Sequence, residues 1–201
     1  MTALFQHHLP PAPAMLPYVP GRFYASAHAR AVGGAVAMTA NRLYCVPYVL
    51  ARPGLFAAMA VGVTTGAAGL LRMALAADNG AGRPGPIVEE PLADAETTVG
   101  SVICPFGQPR WIPAGIWWVL LCFSGTPSVR GTSTQAFSGG NTLLLGSAAA
   151  DGGAGGGATG SENGFFAPLT HQAGAPIIPS PPSGLSYLVN AAAPLPTLQA
   201  A

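Results

Sequence analysis

Turn-forming residues separate this chain into short apolar runs. Their regular spacing limits the folds that the chain can adopt more than any other feature. From residue 35 onward, Gly, Pro and Asn recur at intervals of about 8–12 residues, between runs rich in β-branched and aromatic side chains. Strands of this length, separated by tight turns, are typical of β-sandwiches and β-barrels. We therefore expect an all-β protein.

The apolar runs differ in what they predict about burial. Residues 43–50 are rich in aromatic and β-branched side chains, and Pro47 within them predicts an edge position or a bulge. Residues 115–123 are apolar throughout, which predicts a strand buried on both faces. Residues 105–113 and 126–140 are rich in proline or polar side chains, and we expect loops there.

Residues 54–77 carry one charge, that of Arg72, and are long enough for a membrane helix of about 20 residues. The arginine and the turn sequence TTGAAG at residues 64–69 both oppose such a helix. Alternation of side chains instead predicts two strands, with Leu55 on the same face as Met59 in the first and with Arg72 facing solvent in the second. We therefore expect no membrane insertion.

Charged residues are scarce in this chain. Of 201 residues, 8 are basic and 7 acidic, the net charge is +1, and every basic residue is an arginine. Because these arginines do not cluster, we expect no nucleic-acid partner. A hydrophobic fraction of 50% opposes disorder, although the chain has 27 Gly and 21 Pro. Its first residues lack the basic region and apolar run of a secretory signal peptide.

Groups suited to catalysis or metal binding are few. Only His28 and His171 lie outside the first 20 residues, and four of the seven acids fall within residues 89–96, where we expect a solvated loop. The cysteines lack metal-binding spacing and lie in apolar stretches, which predicts small buried side chains: Cys45, Cys104 and Cys122. We expect no enzymatic activity, no metal and no cofactor.

Aromatic side chains are the better candidates for a binding role. Trp111 lies beside Arg110 in a proline-rich segment, and its ring is suited to stacking on a sugar or docking on a protein. The alternative is that the ring folds back onto the sandwich. The turn over residues 78–85 adds three polar candidates for contact with a glycan or a partner: Asp78, Asn79 and Arg83.

The two ends of the chain differ in composition from its body. Residues 1–20 contain five prolines, which prevent a helix or a paired strand, so we expect an extended docking arm. Six apolar side chains of the arm are candidates for contact with a partner: Leu4, Phe5, Met15, Leu16, Tyr18 and Val19. We place the sandwich at residues 21–130, a loop-rich, Gly-rich extension that packs on the sandwich or on neighbouring subunits at 131–190, and a C-terminal tail at 191–201.

Five segments occur in an informative order: LPYVPGRFY at residues 16–24, ANRLYCVPYVL at 40–50, VTT at 63–65, and the runs at 71–79 and 113–121. This order resembles a domain of the tail-fibre and spike proteins of tailed bacteriophages and of related gene transfer agents. The resemblance implies a jelly-roll-like β-sandwich that assembles into a virion appendage. It assigns no catalytic residue to these segments.

The resemblance implies a fibre or spike subunit that attaches the particle to the host surface through polysaccharide. The alternatives are a capsid decoration or tail and baseplate subunit without a receptor role and, more weakly, a glycan-degrading enzyme. The expected partners are copies of the chain itself, as a trimer or pentamer, other virion proteins bound through the arm, and host surface polysaccharide. We expect synthesis in the host cytoplasm and a place on the particle exterior. Scarce surface charge agrees with a subunit covered by its neighbours.

Overall fold

The computed structural model describes residues 17–27, 32–132, 162–168, 184–189 and 193–201. Over these ranges the chain forms thirteen strands and no helix, and the strands pair antiparallel into two sheets that pack against each other. The prediction of an all-β sandwich is confirmed. Among these residues, no helix has the length and hydropathy that crossing a membrane requires.

One sheet has six strands built around a long central one. Its members are β1 (Phe23–Ala25), β2 (Val32–Ala37), β4 (Gly54–Thr65), β8 (Gly100–Ile112), β10 (Ser128–Thr132) and β13 (Pro196–Ala200). β4 pairs with β8 along one edge and with β13 and β10 in succession along the other. β1 extends the sheet beyond β13, and β2 extends it beyond β10.

The other sheet has seven strands. They are β3 (Arg42–Leu50), β5 (Leu70–Asp78), β6 (Pro84–Glu89), β7 (Ala95–Glu96), β9 (Gly115–Phe123), β11 (Glu162–Pro168) and β12 (Ser186–Val189). Their order is β12-β11-β3-β9-β5, and β6 and β7 pair with different parts of β5. Pro47 lies beyond the part of β3 that pairs with β11, which agrees with the expected edge position.

The seven-stranded sheet is buried on both of its faces in the middle. Its inner face packs against the six-stranded sheet, and Val119 and Leu121 contribute to this main core from β9. Its outer face carries a second cluster of buried side chains: Leu43, Cys45, Ala74, Ala76, Trp118, Leu120 and Cys122. β9 contributes to both clusters, which confirms the prediction made from its uniformly apolar sequence.

A bulge changes the predicted faces of β4. Phe56 and Ala58 of β4 pair with the consecutive residues Ala200 and Gln199 of β13, so β4 carries one extra residue at this point. Phe56, rather than Leu55, therefore shares the inner face with Met59, and Leu55 remains 44% exposed. Strict alternation over residues 55–63 was the wrong prediction here, because an extra residue reverses the face on which side chains point.

Two segments expected to be loops contain strands. Residues 105–112 belong to β8, an edge strand where proline is tolerated because its missing N–H costs no ladder bond on the free side. Within 126–140, residues 128–132 form β10, which inserts the buried Val129 between β4 and β2. Residues 133–140 lie outside the described part of the chain.

The C-terminal residues also depart from the prediction. Instead of a tail over 191–201, β13 runs between β4 and β1 and buries Leu198 in the core. Its alternating sequence, PTLQA, suits an inner strand whose partner lies far away in the chain. In the 131–190 extension, β11 and β12 join the seven-stranded sheet beside β3, and the Gly-rich tract at 151–160 lies outside the described residues.

Candidate interaction site on the edge strand β8

The candidate binding residues share one end of the sandwich. The end of β8 pairs with the start of β4, the start of β9 pairs with the end of β3, and the end of β5 pairs with the start of β6. The loops at 51–53, 79–83 and 113–114 therefore gather at this end. They place Trp111 on one sheet and the turn that follows Asp78 on the other.

Trp111 lies on β8, on a face that points away from the core. Its side chain is 66% exposed and stands opposite Leu55 of β4. Ile103 on the same face of β8 is 40% exposed, and Pro105 between them is exposed as well. We call these four residues the outer stripe: Leu55, Ile103, Pro105 and Trp111. The stripe carries no charge, whereas Val102 and Cys104, on either side of Ile103 in the sequence, point into the core.

Arg110 points toward the other sheet. Its Nε donates a hydrogen bond to Oε2 of Glu89 on β6, so this ion pair links the two sheets at their open side. The guanidinium side chain is 61% exposed, whereas the Glu89 side chain is buried. The pair lines a groove of about 520 Å³ between β6 and β8, into which Gln108 also faces.

The acidic segment after β6 is not a solvated loop, and Arg72 does not face solvent. Arg72 is 7% exposed. Its Nε hydrogen-bonds Oδ1 of Asp94, and its Nη1 lies 3.8 Å from Oε1 of Glu90. Alternation correctly placed Arg72 on the outer face of β5, but the acidic segment covers that face. Burial raises the pKa of Glu90 despite the opposing attraction of Arg72.

The polar turn residues are engaged in building the turn itself. Asp78 accepts the indole N–H of Trp118 at Oδ1 (2.8 Å) and the backbone N–H of Gly80 at Oδ2 (2.7 Å). Asn79 accepts the backbone N–H of Arg83 at Oδ1 (3.3 Å). These side-chain oxygens therefore hold the β5–β6 turn in shape, as Asx turns do, rather than pointing outward toward a ligand.

The base of the predicted arm belongs to the sandwich. The Tyr18 ring packs edge-on against Tyr24 and Phe56, with centroids 4.7 and 5.0 Å apart, and the Arg52 guanidinium lies 4.1 Å from its centroid. Val19 is exposed. The four other candidate arm residues lie outside the described part of the chain: Leu4, Phe5, Met15 and Leu16. The C-terminal limit of any free arm would therefore lie before Tyr18.

The three cysteines are buried thiols, as predicted, and none forms a disulfide. Burial raises the pKa of Cys45 and of Cys104 to about 12 and that of Cys122 to about 11. Because the thiolate is the reactive form, such thiols are poor nucleophiles near neutral pH. Their positions within the two apolar clusters make them part of the packing.

We expect the folded protein to resist thiol reagents completely on the time scale of minutes. A rise in the Cys45 pKa from 9.0 to about 12 lowers the thiolate fraction at pH 8 by about 1,000-fold. Ellman's reagent should detect no thiol in native buffer and three per chain in denaturant. Rapid reaction of any one thiol in the folded chain would contradict its burial.

Within the described ranges, no three His, Cys, Asp or Glu side chains come together in a way that could hold a metal ion. The fold and the site define the chain as a β-sandwich protein with an uncharged, exposed stripe along one edge strand. No protein-family model matches this chain, and no curated protein matches it either.

Proposed function

We propose that this chain is a structural subunit of a phage-like particle, of the fibre or spike type, that takes part in attachment to the host cell. The observation that carries the proposal is the outer stripe, an exposed apolar surface on a chain of which only 7% of residues are charged. Exposed apolar surface of this kind marks protein–protein contact sites. The order of sequence segments supports the same role, and we propose that the sandwich is of the jelly-roll type.

The use of polar groups in the fold also favours a structural role. Arg72 and Arg110 are both engaged in ion pairs that join separate segments, and Asp78 holds a turn. These groups stabilise the sandwich, whereas the outer stripe offers apolar side chains. Such a surface suits packing between subunits better than it suits acid–base chemistry, which requires a titratable group held at a reacting atom.

The test is whether the chain is part of particles. We expect antibodies against it to label purified particles from producing cells, and we expect mass spectrometry to find it in the particle fraction. Deleting residues 1–16, which leaves Tyr18 and its contacts in place, should abolish incorporation if this segment is the docking arm. Recovery of the intact chain only from the particle-free fraction would overturn the proposal.

Polysaccharide binding is a second candidate function, favoured by the exposure of the Trp111 ring. Flat aromatic rings stack on sugar faces. If this function holds, Trp111→Ala removes binding to purified surface polysaccharide. Ile116→Ala, which alters an exposed apolar residue on the other sheet, should leave binding unchanged. Equal binding by both variants would remove Trp111 from the site.

A further inference from the structure

We infer that the outer stripe binds the proline-rich segment at residues 1–16 of a second copy of this chain. The inference rests on the proposed role as an assembling subunit, and it names the contact that joins one copy to the next. Four observations carry it: the protected edge of β8, the length of the stripe, the lack of charge on both surfaces, and the point at which the segment joins the sandwich.

The edge of β8 is poorly suited to pairing with another strand. Among the described residues, β8 pairs with β4 alone, so its other side is open. Pro105 and Pro109 interrupt that strand and cannot donate backbone hydrogen bonds, a common protection of sheet edges. A partner would therefore contact the side chains of the stripe rather than extend the ladder.

The stripe has the length of a short polyproline segment. Ile103 and Trp111 stand opposite Ala60 and Leu55, which are five residues apart on β4, so the stripe spans about 17 Å at the rise of an extended strand. A polyproline II helix advances about 3.1 Å per residue, so five or six residues would cover it. The sequence LPPAP at residues 9–13 is of this kind, and aromatic surfaces dock such segments.

The contact need not bury a charge: Arg130, which lies over Gly62 on the outer face of β4, is exposed and can stay in water at the rim. The segment at residues 1–16 contains no Asp, Glu, Arg or Lys, and the outer stripe contains none either. Burying an unpaired charge is unfavourable, whereas burying apolar side chains is favourable. The two surfaces therefore match in polarity.

The segment joins the sandwich close to the stripe but on the opposite face of β4. The Tyr18 ring packs on Phe56, which faces the core, and it lies directly over Gly54. Leu55 and the rest of the stripe face outward. To reach its own stripe, the segment would have to turn back around the start of β4. Sixteen residues in polyproline II form extend about 50 Å, which is enough to reach a neighbouring copy.

Self-association of the full chain tests the inference. Sedimentation velocity over a range of concentrations should show association that Trp111→Ala or Ile103→Ser weakens by roughly tenfold or more. Ile116→Ser is the matched control, since Ile116 is similarly exposed on the other sheet, and it should change the dissociation constant by less than about twofold. Replacing Pro10, Pro11 and Pro13 by serine in the full chain should weaken association as Trp111→Ala does.

A synthetic peptide, MTALFQHHLPPAPAML, identifies the occupant directly. We expect it to dissociate the assembled chain and, in chain diluted until it is monomeric, to protect Trp111 fluorescence from iodide. Quenching by iodide reports mainly on Trp111, because Trp118 is buried and Trp117 is half-buried. A peptide with serine in place of the three prolines should do neither. Near-UV circular dichroism verifies that each variant is folded.

Three results would overturn the inference: a chain that stays monomeric at every concentration, association that Ile103→Ser and Ile116→Ser affect equally, or protection of Trp111 by polysaccharide and not by the peptide. The last result would assign the stripe to glycan. All of these measurements are made on purified protein, so they are independent of the particle experiment. Association of the chain without particle incorporation would leave this contact standing and remove the proposed function.

Discussion

Trp118→Ala is expected to lower the free energy of unfolding by about 3–5 kcal/mol, the usual cost of removing a fully buried aromatic side chain. Trp118 is 0% exposed on the outer face of β9, and its indole N–H donates to Asp78 Oδ1 at 2.8 Å. The substitution removes the ring contacts and the hydrogen bond together. Urea denaturation, followed by circular dichroism, measures the loss.

The cavity left by this substitution has little chance of closing. Trp118 stands opposite Ala76 of β5 and Pro47 of β3, and the small alanine leaves the space that the ring fills. Both neighbouring strands are held by their ladders and cannot move inward easily. We expect Trp118→Phe to lose less than Trp118→Ala, because it retains most of the apolar contact but not the donor to Asp78.

Trp111→Ala is the matched control, because it removes the same side chain from an exposed position. We expect its free energy of unfolding to lie within about 0.5 kcal/mol of that of the native chain. Similar losses for the Trp111 and Trp118 variants would contradict the assignment of one ring to the surface and the other to the second cluster.

Burial of a strand on both faces can be predicted from sequence where its side chains are uniformly apolar. β9 is apolar at almost every position, so neither a register error nor a bulge could have altered the conclusion. β4 shows the opposite case. Its alternation is regular, but the bulge between Phe56 and Ala58 depends on the pairing with β13, which the local sequence does not contain.

Arg72 was wrongly predicted to face solvent because a segment distant in the sequence covers it. The alternation of side chains along β5 correctly placed Arg72 on the face away from Leu71 and Met73. An arginine on such a face is usually exposed to solvent. The carboxylates that bury it lie about twenty residues further along the chain, in a segment whose composition is typical of a solvated loop. The cluster of acids near one isolated arginine was the available signal.

The candidate site was predicted in part. The sequence singled out Trp111 but left open whether its ring is exposed or folds back onto the sandwich. The proline-rich surroundings predicted a loop, whereas Trp111 lies on an edge strand, where proline is tolerated. Leu55 and Ile103 were missed as exposed residues because each lies in an apolar run that predicts burial. The sequence DNGAG is a strong turn signal, and Asp78 and Asn79 build that turn; their contact with a glycan or a partner stays a prediction.

Replacing Arg72 by methionine should destabilise the fold at pH 7 by about 3–5 kcal/mol, the range observed when one partner of a buried ion pair is removed. Methionine retains an apolar side chain of similar length, so the loss reports mainly on charge. Asp94 and Glu90 would remain in the covered segment without the guanidinium that now faces them. Urea denaturation of both proteins gives the difference in free energy.

The loss should depend on pH in a defined direction. Burial already raises the pKa of Glu90 above its ordinary 4.5, and removing the attraction of Arg72 raises it further. A carboxyl whose pKa is higher in the folded chain stabilises the fold fully below its unfolded pKa and loses that contribution as the pH rises through the folded pKa. The variant should therefore be weakest at neutral pH and recover toward pH 4.

Two further variants separate the charge effect from packing. Adding Glu90→Gln and Asp94→Asn to Arg72→Met should restore much of the lost stability at pH 7, because no unpaired charge is then buried. Arg110→Met makes the same substitution in the ion pair with Glu89, where the arginine is 61% exposed and water can replace it, so we expect a smaller loss. Equal losses for Arg72→Met and Arg110→Met, with no dependence on pH, would show that the covered cluster does not stabilise the sandwich through charge.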